Sequence, residues 1–169
     1  VPHDLPLLLL DVDGVLNPFA AASCPPGFRE YRFFPGEDEV RLNRDHGRWL
    51  VTLAERYEIV WATGWEEEAN QFISPVLGLP RLPVICFPPK PFDPSEKVPA
   101  VAAFVGDRPA AWVDDALTPS AHEWADGREA ATLLMDADPS VGLTPDMVER
   151  LMAWHGLSRL WPDQVTTRR

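Results

Sequence analysis

The stretch VPHDLPLLLLDVDGVLNPF, residues 1–19, runs four leucines, Leu7–Leu10, straight into Asp11 and Asp13, with Gly14 after them. A short apolar run bounded by turn-forming residues reads as a buried strand. Carboxylates at the end of such a strand are costly to bury unless something pairs with them. Gly14 lets the backbone turn away sharply. The remaining sequence therefore has to supply a partner for two acids.

Further apolar runs follow. IVWAT, residues 59–63, is rich in β-formers and ends in Thr63. PVIC, residues 83–86, is a third strand candidate, and AAWVDD, residues 110–115, ends in a second acidic pair, Asp114 and Asp115. ATLLMD is a fifth. Helix-like segments lie between them. GRWLVTLAERY, residues 47–57, puts Trp49, Leu50, Leu53, Ala54 and Tyr57 on one face. EEEANQFI reads as helix with a break near Pro75. KVPAVAAFVG, residues 97–106, accommodates Pro99 in its first turn. Thr144 and Pro145 form a capping pair that opens a last helix to about His155, with an irregular tail from Gly156 and a frayed TTRR end. Strands alternating with helices predict an α/β fold, a doubly wound, Rossmann-like parallel sheet with helices on both faces, in a single domain over residues 1–169. Such sheets bind ligands at the carboxyl ends of their strands. Asp11, Asp13, Thr63, Asp114 and Asp115 all fall there.

Residues 17–46 break the alternation. REYRFF and VRLNR read as two short strands around a turn containing Pro35 and Gly36. This predicts a β-hairpin flap over the site, too small for a full cap domain. Arg29, Arg32, Arg41, Arg44 and Arg48 are balanced there by Glu30, Glu37, Asp38, Glu39 and Asp45. The arginines read first as a solvated face and second as substrate contacts. His46 and His122 read as surface or capping residues.

Composition narrows the function classes. The net charge of −11 opposes non-specific binding to nucleic acid or anionic membranes. The two cysteines, Cys24 and Cys86, lack metal-ligand spacing and suit a reducing, cytoplasmic setting. Leu7–Leu10 are too few to span a membrane, and no basic segment precedes them as in a signal peptide.

Carboxylates gathered at one sheet edge repel one another, and a hard cation such as Mg2+, which prefers oxygen ligands, relieves that repulsion. Asp11 and Asp114 are its natural side-chain ligands. Thr63 is placed to donate to a phosphate oxygen. Lys90 and Lys97 are the two lysines of the chain, and Lys97, opening the helix before AAWVDD, is the better cation for the site.

These residues resemble the haloacid dehalogenase (HAD) superfamily. DVDGVL at 11–16, Thr63 in IVWATGW, Lys97, and Asp114 with Asp115 in WVDD match its four motifs in order. The resemblance implies a Mg2+-dependent phosphatase of HAD-like fold and capless type. Asp11 would form an aspartyl-phosphate and Asp13 would act as acid and then base. Thr63, Gly64, Trp65 and Lys97 would bind the substrate. Asp11, the main-chain carbonyl of Asp13, and Asp114 would hold the metal, with Asp115 holding a metal-bound water or orienting Lys97. Asp13 distinguishes phosphoryl transfer from true dehalogenation, which lacks the second acid. WATGWEEEAN, LGLP, GDRPAAWVDD and GLT are similar to phosphatase-like domains of RNA-repair proteins, which implies a nucleotide or nucleic-acid end as substrate. Trp65 would then stack on a base, or else pack beneath the flap. A phosphate- or phosphoprotein-binding module without turnover is the alternative from another class, and a phosphotransferase a further one. Monomer and homodimer are both compatible with the sequence.

Overall fold

The protein is described here by a computed structural model covering residues 5–160, with side chains through Trp154; the TTRR end lies outside the described residues. Its elements in chain order are β1 (Leu7–Leu10), β2 (Arg29–Tyr31), β3 (Val40–Leu42), α1 (Arg44–Leu53), β4 (Glu58–Trp61), α2 (Ser74–Leu77), α3 (Lys97–Val105), β5 (Ala110–Asp114), α4 (Pro119–Asp126), β6 (Thr132–Asp136) and α5 (Pro145–Leu160). Four strands make a parallel sheet ordered β4-β1-β5-β6, while β2 and β3 form a separate antiparallel hairpin.

Why β1 is all leucine follows from its place. It lies between β4 and β5, and helices cover both faces of the sheet there, as for central strands of parallel sheets. Side chains alternate along a strand. Leu8 and Leu10 join Ile59, Trp61, Ala111 and Val113 in a core closed by Leu50 and Leu53 of α1 and Met147 and Leu151 of α5. Leu7 and Leu9 join Val60, Ala110 and Trp112 in a second core closed by Val101 and Val105 of α3 and Ala121 of α4. The sheet is thus doubly wound. The chain leaves β1 to one side for β4 and returns on the other side for β5. That change of direction opens a crevice at the carboxyl ends of β1 and β5.

Several element boundaries differ from the sequence reading. The helix expected over 47–57 starts at Arg44, where the Asn43 side chain accepts from the Asp45 N–H at 2.9 Å. It ends at Leu53, because a turn follows that buries Tyr57 and lets its hydroxyl donate to the Leu151 carbonyl at 2.6 Å. Pro75 breaks nothing. A π-helical stretch, Ala69–Ile73, passes directly into α2, whose first turn holds Pro75, and Gly78 ends it with φ +70°. PVIC is no strand. It makes one bridge from Val84 to Trp61, since Pro83 has no N–H to extend the pairing. The last helix runs through Gly156 to Leu160, and α4 was not anticipated. His46 is buried rather than a surface group, with Nε2 3.1 Å from the Leu143 carbonyl, whereas His122 is exposed. Among the described residues, no helix is long and apolar enough to cross a membrane.

Two predictions follow from the packing of α1. A Cβ on Gly47 would fall 1.9 Å from the Leu77 carbonyl oxygen, so α1 and α2 touch through a glycine. Gly47→Ala improves helix propensity by about 1 kcal/mol, yet overpacking outweighs this, and urea unfolding should show a net loss of about 2 kcal/mol or more. Burial lowers the His46 imidazole from 6.5 to about 4, outweighing the Leu143 carbonyl and Asp45, which both favour its charge. The unfolded chain therefore takes up this proton at higher pH than the folded one. The contribution is whole above pH 6.5 and is lost as pH falls from there to about 4, by about 3 kcal/mol at most. Denaturant unfolding across that window should be steeper in pH for the native protein than for His46→Asn.

Candidate active site

The site begins with strand register. Leu10 pairs with Val113, and the Asp11 N–H donates to the Val113 carbonyl at 3.1 Å, so Asp11 and Asp114 stand side by side at the crevice. Asp11 Oδ1 accepts from the Val12 N–H at 2.7 Å and Asp114 Oδ1 from the Ala116 N–H at 2.9 Å. Their other oxygens share one donor. Lys97 Nζ lies 2.7 Å from Asp11 Oδ2 and 2.7 Å from Asp114 Oδ2. All three side chains are buried.

Local sequence puts Lys97 there. Asp93 and Glu96 form a capping box around the short turn Pro94–Glu96, which delivers Lys97 as the first residue of α3. A cation at a helix N-terminus is unfavourable by itself. Burial also works against the ammonium, but the Asp11 and Asp114 carboxylates outweigh it and hold Lys97 above the usual lysine range.

One ammonium does not neutralise the cluster. Carboxylate oxygens of Asp11, Asp114 and Asp115 all lie within 4.8 Å of one another. Burial first, and then Asp114, push the Asp11 carboxyl well above the ordinary carboxylate range, against hydrogen bonds from Lys97 and Thr63. Asp115 is raised for the same two reasons. Three converging carboxylates with residual negative charge are the donor set a hard divalent cation prefers. The cluster fits a metal ion on that ground. Gly14 is required in the same place, both for φ +77° and because a Cβ would fall 2.3 Å from Asp115 Cγ.

Asp13 faces elsewhere. Its carboxylate is outside the three-acid group. Oδ1 accepts from Asn17 Nδ2 at 2.8 Å and Oδ2 from the Trp65 indole N–H at 2.9 Å. Thr63 is buried beside Asp11, and its hydroxyl accepts from the Trp65 N–H at 3.3 Å. The chain positions Trp65 by packing it against Phe33 and Phe34, with ring centroids 6.3 and 5.8 Å away. Gly64 and Trp65 border a cleft with Lys90, which is exposed, and it is Lys97 that bonds the Asp11–Asp114 pair. On the other side of Trp65 a cavity of about 560 Å³ opens over Asp13, roofed by Phe34 and the hairpin residues Gly36–Val40. None of the five hairpin-region arginines lines it. Arg32 pairs with Glu39, Arg41 with Glu30 and the Ala21 carbonyl, and Arg48 with Asp45.

A model of the HAD domain in Swiss Army Knife RNA repair proteins matches residues 7–148. The chain belongs to that family. No curated protein matches it. The matched span of this HAD domain runs from β1 into α5, so it takes in the acidic cluster, Lys97 and the hairpin. Asn17 is the site residue that sequence reasoning missed. Its only signal was a polar side chain set four residues after Asp13, between Leu16 and Pro18.

Because the cluster carries uncompensated charge, a divalent cation should raise the melting temperature of this HAD domain, as any ligand of the folded state does. Asp114→Asn should cut that increment and weaken binding at least about tenfold by calorimetry, a conservative figure for loss of a metal-binding carboxylate. An increment equal to that of the native protein would show that the cation binds elsewhere.

Proposed function

We propose that this HAD domain is a Mg2+-dependent phosphohydrolase that works through an aspartyl-phosphate. The observation that carries the reading is the division of labour between two acids on one strand end. Asp11 sits in the buried cluster against Lys97, while Asp13, two residues on, is held apart by Asn17 and Trp65 beside an open cavity. Those are the environments that a nucleophile and an acid/base need.

Asp11 attacks phosphorus, and the bond to the leaving oxygen breaks as Asp13 gives that oxygen its proton. Asp13, now a carboxylate, takes a proton from the water that attacks the aspartyl-phosphate, which frees inorganic phosphate and restores Asp11. Thr63 donates to, and Lys97 pairs with, the phosphoryl oxygens, and the hydroxyl dipole and the ammonium charge offset the negative charge that develops there. Mg2+, when held by Asp11, the main-chain carbonyl of Asp13, and Asp114, would neutralise the approach of one anion to another. Asp115, beside Gly14, would orient that shell. Gly64 lies beside Thr63 at the phosphate end.

The family's place in RNA repair proteins supports a nucleic-acid end, or a nucleotide, as substrate. The cavity over Asp13 is large enough for a nucleoside-sized leaving group.

Hydrolysis of p-nitrophenyl phosphate with Mg2+, with EDTA, and by Asp11→Asn tests the chemistry. Phosphate release should require Mg2+ and fall by at least about a thousandfold in the variant, since the nucleophile is lost. Full activity in Asp11→Asn would remove the assignment. Tight binding of beryllium fluoride without turnover of p-nitrophenyl phosphate, nucleotides or phosphorylated oligonucleotides would instead identify a phosphate-binding module.

A further inference from the structure

We infer that Asn17 and Trp65 are positioning residues for Asp13, and that the β2–β3 hairpin serves to hold them. This rests on the phosphohydrolase reading and assigns the insertion a task within it. Both oxygens of Asp13 are engaged, each by a side chain tied to the hairpin. On one side Asn17 donates to Oδ1 at 2.8 Å while its own Oδ1 accepts from the Arg41 N–H at 3.0 Å. Arg41 lies in the middle of β3. Asn17 is buried, and the Gly14 N–H donates to its main-chain carbonyl at 2.8 Å, which ties its backbone to the turn after Asp13. On the other side the Trp65 indole donates to Oδ2 at 2.9 Å.

The indole is held in turn. Phe33 meets it edge-on at 87°, Phe34 lies 5.8 Å away, and both rings also pack on Phe72 of the π-helical stretch. Phe33 and Phe34 belong to the link between β2 and β3. The hairpin therefore fixes the Asp13 carboxylate in two directions, through a backbone N–H and through an aromatic cluster. An acid that must reach a leaving oxygen gains from being held within a few tenths of an ångström and 10–20° of its working geometry.

The test uses leaving groups. kcat/KM reports only steps through formation of the phosphoenzyme. An alkyl phosphate needs its leaving oxygen protonated in that step, whereas p-nitrophenyl phosphate has a stable leaving anion and does not. Trp65→Phe keeps an aromatic ring but removes the N–H, and Asn17→Ala removes the other donor. Each should lower kcat/KM for an alkyl phosphate about tenfold or more, within the range general acids contribute. In each variant the loss on the aryl ester should be smaller than that on the alkyl ester by at least about threefold, because the aryl leaving anion needs no proton, whereas a loss of substrate binding lowers both alike.

Equal losses on both esters, or no loss on either, would overturn the inference while leaving the phosphatase reading intact. A parent protein that hydrolyses neither ester, nor nucleotides and phosphorylated oligonucleotides, overturns both. Should Trp65→Phe not fold, the indole N–H resonance of the parent supplies the readout. It should move on Asp13→Ala, and an unmoved resonance overturns the contact.

Discussion

Lys97 between Asp11 and Asp114 is the constraint around which the rest is arranged. Any parallel sheet with β1 beside β5 brings the residues after those strands together. Here both are carboxylates, and both are buried. Two such charges with no partner would cost several kcal/mol each. The ammonium that relieves them comes from a third element, α3, and reaches the crevice because a capped turn delivers it. The triad thus ties β1, β5 and α3 in one contact. Its incomplete neutralisation is also what suits the crevice to a cation.

The hairpin bears a different burden. Three of its arginines, Arg32, Arg41 and Arg48, which by type suggest phosphate contacts, are spent on nearby carboxylates and a backbone carbonyl. Its aromatic residues face inward and reach the site. A cap domain would enclose a substrate by area. This insertion is too small for that, and its influence passes through Asn17 and Trp65 onto one side chain.

What the sequence disclosed, and what it did not, divides by range. Leu7–Leu10 followed by two acids, and AAWVDD later, announced buried strands ending at a reactive edge, because period-two burial and strand-end acids are local patterns. The order of motifs then brought Asp11, Asp114 and Lys97 to one place. The start of α1 was hidden because Asn43, extended directly after β3, caps the helix through a side-chain bond to the Asp45 N–H rather than through an apolar pattern. PVIC carried β-formers, but Pro83 limited it to one bridge. The contact of Trp65 with Asp13 spans 52 positions, and nothing in either neighbourhood encodes it. Asn17 lies only four residues from Asp13, but the Arg41 N–H that holds its side-chain oxygen comes from 24 positions away, and that half of its role was unreadable.

The central strand has a consequence before the protein is folded. Four consecutive leucines are the kind of run that drives strand-to-strand association between nascent chains. In this chain Pro6 stands on one side of the run and Asp11 and Asp13 on the other. A proline and charges at the borders of an apolar segment act as gatekeepers against aggregation. The acids at the crevice thus have an earlier task in keeping the unfinished chain dispersed. Removing their charge trades away solubility during synthesis along with whatever they do in the native state.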